Sequence, residues 1–139
     1  RAEITALCYE YAWRIDQGHA STVWELFTED GALELPWGNV AGRPALREAW
    51  AERSKRPLRT RHLVTNVRLA RVSETEVEGT AALILFVRKH GEPMTADVAA
   101  AGEHIDLYRR DASGRWLIHR RRFDTVFSND PSLPPLPSD

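Results

Sequence analysis

"LRTRHLVTNVRL", residues 58–69, decides the fold, because the chain changes character there. Before it lie helical patterns with one short strand; after it come long strands. Pro57 ends the helical pattern of 45–53, since proline lacks a backbone donor and clashes with the preceding turn. Apolar and β-branched residues then fill 62–72, and strand-like runs recur at 76–89, 102–110 and 115–127, with a turn from Asp111 to Gly114 before the last. Helices first and a meander of strands afterwards is the order of an α+β domain, with helices on one face of an antiparallel sheet. If strongly curved, such a sheet and its three N-terminal helices make a cone-shaped α+β barrel enclosing a pocket.

Upstream, Ile4, Leu7, Cys8, Tyr11, Ala12 and Ile15 recur at helical spacing over 2–17, and Gly18 stands just past them as a stop. Ser21 and Thr22, with Glu25 three residues after Thr22, read as a capping box for a short second helix carrying Val23, Trp24, Leu26 and Phe27. That helix ends in the turn-like Glu29-Asp30-Gly31. "ALELPWG", residues 32–38, alternates like a strand, and Gly42-Arg43-Pro44 opens a third helix with proline where a first turn tolerates it. Pro131, Pro134, Pro135 and Pro137 bar the end of the chain from a sheet interior. The expected organisation is one domain over 1–127 and a Pro-rich tail over 128–139, extended as a strap or without fixed structure.

Length and charge bound the function. At 139 residues the chain can bury a substantial core without disulfides or metal. Lys and Arg number 19 against 20 Asp and Glu, a net charge of -1, so no nucleic-acid partner is implied. The cluster Arg109, Arg110, Arg120, Arg121 and Arg122 reads as a strand face in water. Cys8 is the one cysteine, which excludes an internal disulfide and fits a reducing compartment. The apolar run 81–87 is too short to cross a bilayer. A cytoplasmic protein without membrane contact is therefore expected.

Two ionisable residues stand where a purely structural sequence would avoid them. His62 opens a buried strand between Arg61 and the apolar Leu63 and Val64; it is either a satisfied structural residue or a base, since its ordinary pKa lies near neutrality. Asp16 closes the first helix, where the macrodipole opposes a carboxylate. It is either a solvated helix end or the partner of His62, holding the imidazole in one tautomer and stabilising its protonated form. Tyr11, on the same helix, is core or an anion-stabilising donor. His104, Asp106 and Tyr108 share one strand face, which looks at solvent or a pocket; His19, His90 and His119 read as surface residues. The histidines lack His-x-His and His-x-x-x-His spacing, and neither a phosphate loop nor a Gly-x-Ser-x-Gly elbow occurs, so neither metal nor cofactor is expected.

The stretches "YAWRIDQGHASTVWELFTEDGALE", "AGRPALREAW" and "RHLVTNVRL" together resemble the SnoaL-like branch of the nuclear transport factor 2-like superfamily, over residues 3–125. That group includes scytalone dehydratase, bile-acid 7α-dehydratase and hexachlorocyclohexane dehydrochlorinase. The resemblance implies a curved sheet and three helices around a conical pocket. It also implies a catalytic pair of a first-helix Asp and a strand His, here Asp16 and His62. The pattern of Tyr, Asp five residues on, then strand His is matched by Tyr11, Asp16 and His62. Against scytalone dehydratase, a pocket histidine corresponds to Val87 and two tyrosines to Ile15 and Leu35, so scytalone is not the expected substrate. His104 falls where that enzyme carries a pocket asparagine, which favours the inward reading of its face. An arginine that relatives place near the end of the last strand corresponds to Arg122.

The expected activity is that of a cofactor-independent lyase or isomerase, dehydratase-like, on a hydrophobic ring compound. His62, oriented by Asp16, removes a proton; Tyr11 or His104 stabilises the developing oxyanion or protonates departing hydroxide. Trp13, Trp24, Leu35, Trp37 and Phe86 are expected pocket walls, because small-molecule sites are mostly apolar. Two other readings stand: a polyketide cyclase, and a noncatalytic assembly subunit like the small subunit of ring-hydroxylating dioxygenases. The family also implies a homo-oligomer, dimer or trimer, built on the outer face of the sheet.

Overall fold

The structure, a computed structural model, describes residues 1–129. Its elements are α1 (Ala2–Asp16), a 3₁₀ helix (Ala20–Leu26), β1 (Phe27–Leu35), β2 (Gly38–Ala41), α2 (Arg43–Ser54), β3 (Leu58–Arg71), β4 (Glu76–Lys89), β5 (Ala100–Arg110) and β6 (Trp116–Ser128). The α+β class and the three helices are as expected, and β6 runs to Ser128. The rest of the Pro-rich tail, from residue 130, lies outside the described residues.

Three expectations need correction. The sheet is mixed rather than antiparallel and open rather than closed: its order is β2-β1-β6-β5-β4-β3, and β1 runs parallel to β6. The reason is topological: α2 carries the chain to the far edge, and the β3–β6 meander then brings β6 back beside β1. Secondly, Glu29-Asp30-Gly31 is part of β1, and the turn lies at Pro36 and Trp37, between β1 and β2. Thirdly, the second helix has no capping box. Glu25 instead pairs with Arg14 of α1 at 3.0 Å, and the Thr22 hydroxyl donates to the His19 carbonyl.

α1 stops where the sequence says it should. Gly18 takes φ 85°, a left-handed conformation cheap only for glycine, and the His19 N–H reaches the Arg14 carbonyl at 2.7 Å. This fixes Asp16 as the last helical residue. The apolar stripe of α1, Ile4, Leu7, Cys8, Tyr11 and Ile15, is buried against Val23, Phe27, Leu46, Trp50, Tyr108 and Ile118. Each fully buried Leu or Ile contributes about 1.5–3 kcal/mol.

Two irregularities set which residues face this core. In β3, Asn66 takes φ 54°, and the register shifts between Thr65 and Arg68. Thr60, His62 and Val64 therefore share the helix-covered face, while beyond the bulge Leu69 turns to the same side. In β6 the pairing passes from Tyr108 opposite Ile118 to Leu107 opposite Arg120, so His119 is the extra residue. Ile118 and Arg121 consequently point inward together, which strict alternation forbids.

Candidate active site

Asp16 and His62 meet because α1 ends against the free edge of β3. On a sheet's edge strand alternate residues have a backbone N–H without a ladder partner, and such a donor needs an acceptor when covered. The Asp16 carboxylate supplies it. Its Oδ2 accepts the His62 backbone N–H at 2.8 Å, and its Oδ1 lies 2.6 Å from His62 Nδ1 and accepts the Thr60 hydroxyl at 2.7 Å. Both side chains are largely withdrawn from solvent, His62 11 % and Asp16 8 % exposed. Burial works to raise the Asp16 pKa, but the hydrogen bonds and charge of His62, with the Thr60 hydroxyl, outweigh it and hold the carboxyl below its ordinary value. An ionised Asp16 keeps a proton on His62 Nδ1, so that in the neutral ring Nε2 is the acceptor.

Deeper in the fold lies an ionic cluster of which the sequence showed only parts. Arg121 is fully buried and grips Asp106 with two bonds, Nε to Oδ1 at 2.9 Å and Nη2 to Oδ2 at 2.7 Å. The Tyr108 hydroxyl donates to the same carboxylate and lies 2.9 Å from Cys8 Sγ. Gly79 makes room for the Tyr108 ring, since a Cβ there would come within 2.8 Å of it. Burial disfavours the Arg121 charge, but the Asp106 carboxylate more than compensates and keeps the guanidinium cationic. Over its carbon lies the Tyr11 ring, 4.3 Å away. Burial pushes the Tyr11 phenol up to about 12, so it is a neutral donor near pH 7.

His104 bridges the two groups of residues. Its ring packs edge-on against Tyr11 and Phe123, each at 5.9 Å between centroids. Burial, reinforced by the charges of Arg121 and His62, lowers its pKa far below the ordinary 6.5. It is a neutral imidazole. Its Nδ1 and the Nη1 of Arg121 are buried without a hydrogen-bond partner among the described residues, as is the Thr125 hydroxyl. Unpaired buried polar atoms are costly, and here they lie on the helix-covered face of the sheet with His62.

The structure thus brings Asp16, His62, Tyr11 and His104 to one side of the sheet. The expected pocket walls divide. Leu35 lies on that side and packs against the cluster of Leu83, Ala100 and Phe123, as does Val64. Trp13 is 52 % exposed and stacks on His19 outside the core, and Trp37 is 66 % exposed at the β1–β2 turn. Trp24 packs under Arg43 and Arg47 of α2. Phe86 alternates with Leu85 and Val87, so it stands on the outer face with the exposed Ile84. Arg122 is exposed and bonded to Asp124; the inward arginine is Arg121, one residue earlier, because of the bulge at His119. Trp50, Val64, Phe123 and Arg121 escaped the sequence reading. The signal for Arg121 was a buried carboxylate, Asp106, in need of a partner. His119 is part-buried and bonded to Thr28 rather than simply exposed.

Among the described residues no helix is long and apolar enough to cross a membrane. Among curated proteins, none matches this chain in sequence. Among solved structures, an Asp-to-Asn variant of Rv3472, a protein of unknown function from Mycobacterium tuberculosis, is 30% identical, with TM-score 0.75 over 89% of this chain and 70% of that one. A candidate scytalone dehydratase from Novosphingobium aromaticivorans is 23% identical, with TM-score 0.80 over 93% of this chain and 85% of that one. ActVI-ORFA from Streptomyces coelicolor is 18% identical, with TM-score 0.76 over 90% and 96%. The latter two likenesses speak to fold alone. Residues 1–122, which hold the whole cluster from Cys8 to Arg121, match the family model of the SnoaL-like domain, and the chain belongs to that family within the nuclear transport factor 2-like superfamily.

Proposed function

We propose that the protein is a cofactor-independent lyase or isomerase of dehydratase type, acting on a hydrophobic, ring-containing small molecule. The observation that carries this reading is the 2.6 Å contact between an ionised Asp16 and His62 Nδ1, which makes Nε2 the basic atom of a largely buried ring. In a dehydration, Nε2 takes a proton from carbon beside an activating group. The freed electron pair becomes the new double bond, the C–O bond breaks, and hydroxide leaves as water after accepting a proton. The imidazolium formed in the first step is stabilised by Asp16 and returns that proton, so atoms and charge balance without an external reagent.

The other groups take supporting roles. Tyr11, a phenol held neutral, donates to the developing oxyanion, with the Arg121 cation beneath its ring favouring negative charge there. His104, neutral, is a hydrogen-bonding group rather than a cationic acid. Leu35, Val64 and Phe123 supply an apolar wall for a ring. The fold likeness to the β subunit of a candidate aromatic-ring-hydroxylating dioxygenase from Novosphingobium aromaticivorans leaves the assembly reading as an outcome of the test.

The test is turnover of a panel of hydroxylated ring compounds by the wild type and by His62→Ala and Asp16→Asn. Loss of roughly 10²- to 10⁴-fold in kcat in both is expected, the usual worth of a positioned acid–base group. Unchanged turnover in either variant sinks the dyad. Elution with a larger partner chain, and no turnover of any panel member, would favour the assembly reading.

A further inference from the structure

The densest charge in the chain lies beside the dyad rather than within the core. Residues 52–61 carry five cations, Arg53, Lys55, Arg56, Arg59 and Arg61, against the single acid Glu52, although the whole chain has net charge -1. This segment joins α2 to β3. It borders a cleft of about 70 Å³, formed where α1 and α2 end and β3 begins, with Asp16, Arg53, Arg56, Leu58 and Arg59 on its walls. Leu58 and Arg59 also border a wider cleft of about 370 Å³, where Arg88, Lys89 and His90 add further basic groups.

The cations here differ in what satisfies them. Lys55 pairs with Glu52 at 2.8 Å, and Arg61 donates to the carbonyls of Asp16 and Thr60. The guanidinium groups of Arg53, Arg56 and Arg59 make no hydrogen bond or ion pair among the described residues. Arg53 is the telling one. It is half-buried and repelled by Arg56, while the Asp16 carboxylate on the same cleft attracts it without bonding to it. A half-buried guanidinium with a repelling neighbour and no acceptor is held at a cost that an anion would relieve.

We propose that these two clefts, which share Leu58 and Arg59 on their walls, form an oxyanion subsite, holding a phosphate or carboxylate carried by the substrate while its apolar ring meets the dyad. Arg53 is the inner contact and Arg56 and Arg59 are the outer ones. A guanidinium fork matches phosphate and carboxylate alike, and it stays charged at any working pH. The inner cleft, at about 70 Å³, is smaller than the roughly 150 Å³ that houses a benzene ring, so it takes a head group and not the ring itself. The subsite rests on the dyad reading for its purpose, since it names the polar end of that same substrate.

Titration of the full chain with inorganic phosphate, pyrophosphate and benzoate tests it, read by ¹⁵N spectra of the arginine Nε–H groups and by calorimetry. Saturable binding that shifts the Arg53 Nε–H and the amides of Gly18 and Leu58 is expected. Arg53→Gln and Arg59→Gln should each weaken it roughly 10-fold, the worth of one charge-assisted hydrogen bond. Arg120→Gln, on the outer face, should leave it unchanged. Arg59 is exposed, so its variant folds even if loss of Arg53 perturbs the helix end. Tighter pyrophosphate binding would assign a phosphorylated substrate, and tighter benzoate binding a carboxylated one. No saturable shift, or equal binding by Arg59→Gln, overturns the subsite. Because binding is read without turnover, an active dyad with no anion binding sinks the subsite alone, and anion binding in a protein indifferent to His62→Ala sinks the dyad alone.

Discussion

At the scale of single residues, Asp16 and His62 were legible because stability alone disfavours each where the sequence puts it: a carboxylate at a helix C-terminus and an imidazole where the pattern reads as the start of a buried strand. Arg121 was not legible, because three consecutive arginines look alike until the bulge at His119 selects one. That selection has an energetic consequence. Asp106→Asn leaves Arg121 buried with its charge unmatched, and a loss of about 3–5 kcal/mol in unfolding free energy is expected from urea denaturation. A loss below about 1 kcal/mol would mean that the Arg121 charge finds another partner or water. His104 gives a second prediction, with a sign fixed by its lowered pKa. Above the ordinary 6.5 the ring is neutral in both folded and unfolded chains. Below it only the unfolded chain gains a proton, so stability is lost as pH falls, by up to about 1.4 kcal/mol per pH unit from this group. His104→Phe should flatten the slope of the urea midpoint between pH 6.5 and 5; an unchanged slope would place the ring in a polar, solvated setting.

Among the elements, the strands from β3 onward were readable from patterning, and β4 matches its expected limits of 76–89. What patterning missed is the departure from it. The strand start at Leu58 rather than His62 escaped because its first residues alternate with arginines, which suit an edge strand as well as a loop. The parallel pairing of β1 with β6 has no local signature at all. The bulges are likewise tertiary, yet they decide which side chains reach the site, and Gly102 shows how tightly one is built. A Cβ at Gly102 would lie 2.0 Å from the Asp124 carbonyl oxygen, where β5 and β6 shift register. The obstacle is backbone, so it cannot swing aside. Gly102→Ala should destabilise the fold by about 1–3 kcal/mol or more. Because Phe123 packs against His104 next to this bulge, the ring signals of His104 should shift as well. A thermal midpoint equal to the wild type's would show that the strands can part locally at no cost.

For the whole molecule, the helices protect only one face of the sheet. Across the other, Leu63 and Ile84 face each other on β3 and β4 with 52 % and 37 % exposure, and Phe127 of β6 is 72 % exposed. Charges flank them: Arg61 on β3, Arg122 and Asp124 on β6, and Glu103 on the intervening β5. An apolar strip rimmed by mixed charge is the composition of a protein interface rather than of a free surface. A face that meets a copy of itself must be self-complementary, and this one carries both signs of charge around its apolar centre. We therefore expect a homodimer built on the outer face, with sedimentation equilibrium at micromolar concentration returning twice the chain mass of 15.8 kDa. Leu63→Glu, which sets a charge in the centre of the strip and leaves the dyad side untouched, should return the single-chain mass with helix and sheet content intact. Sedimentation as a single chain by the wild type would reject the outer face as a self-interface. A dimer unaffected by Leu63→Glu would move the contact elsewhere, and the exposed pair Tyr9 and Trp13 on α1 would be the next surface to substitute.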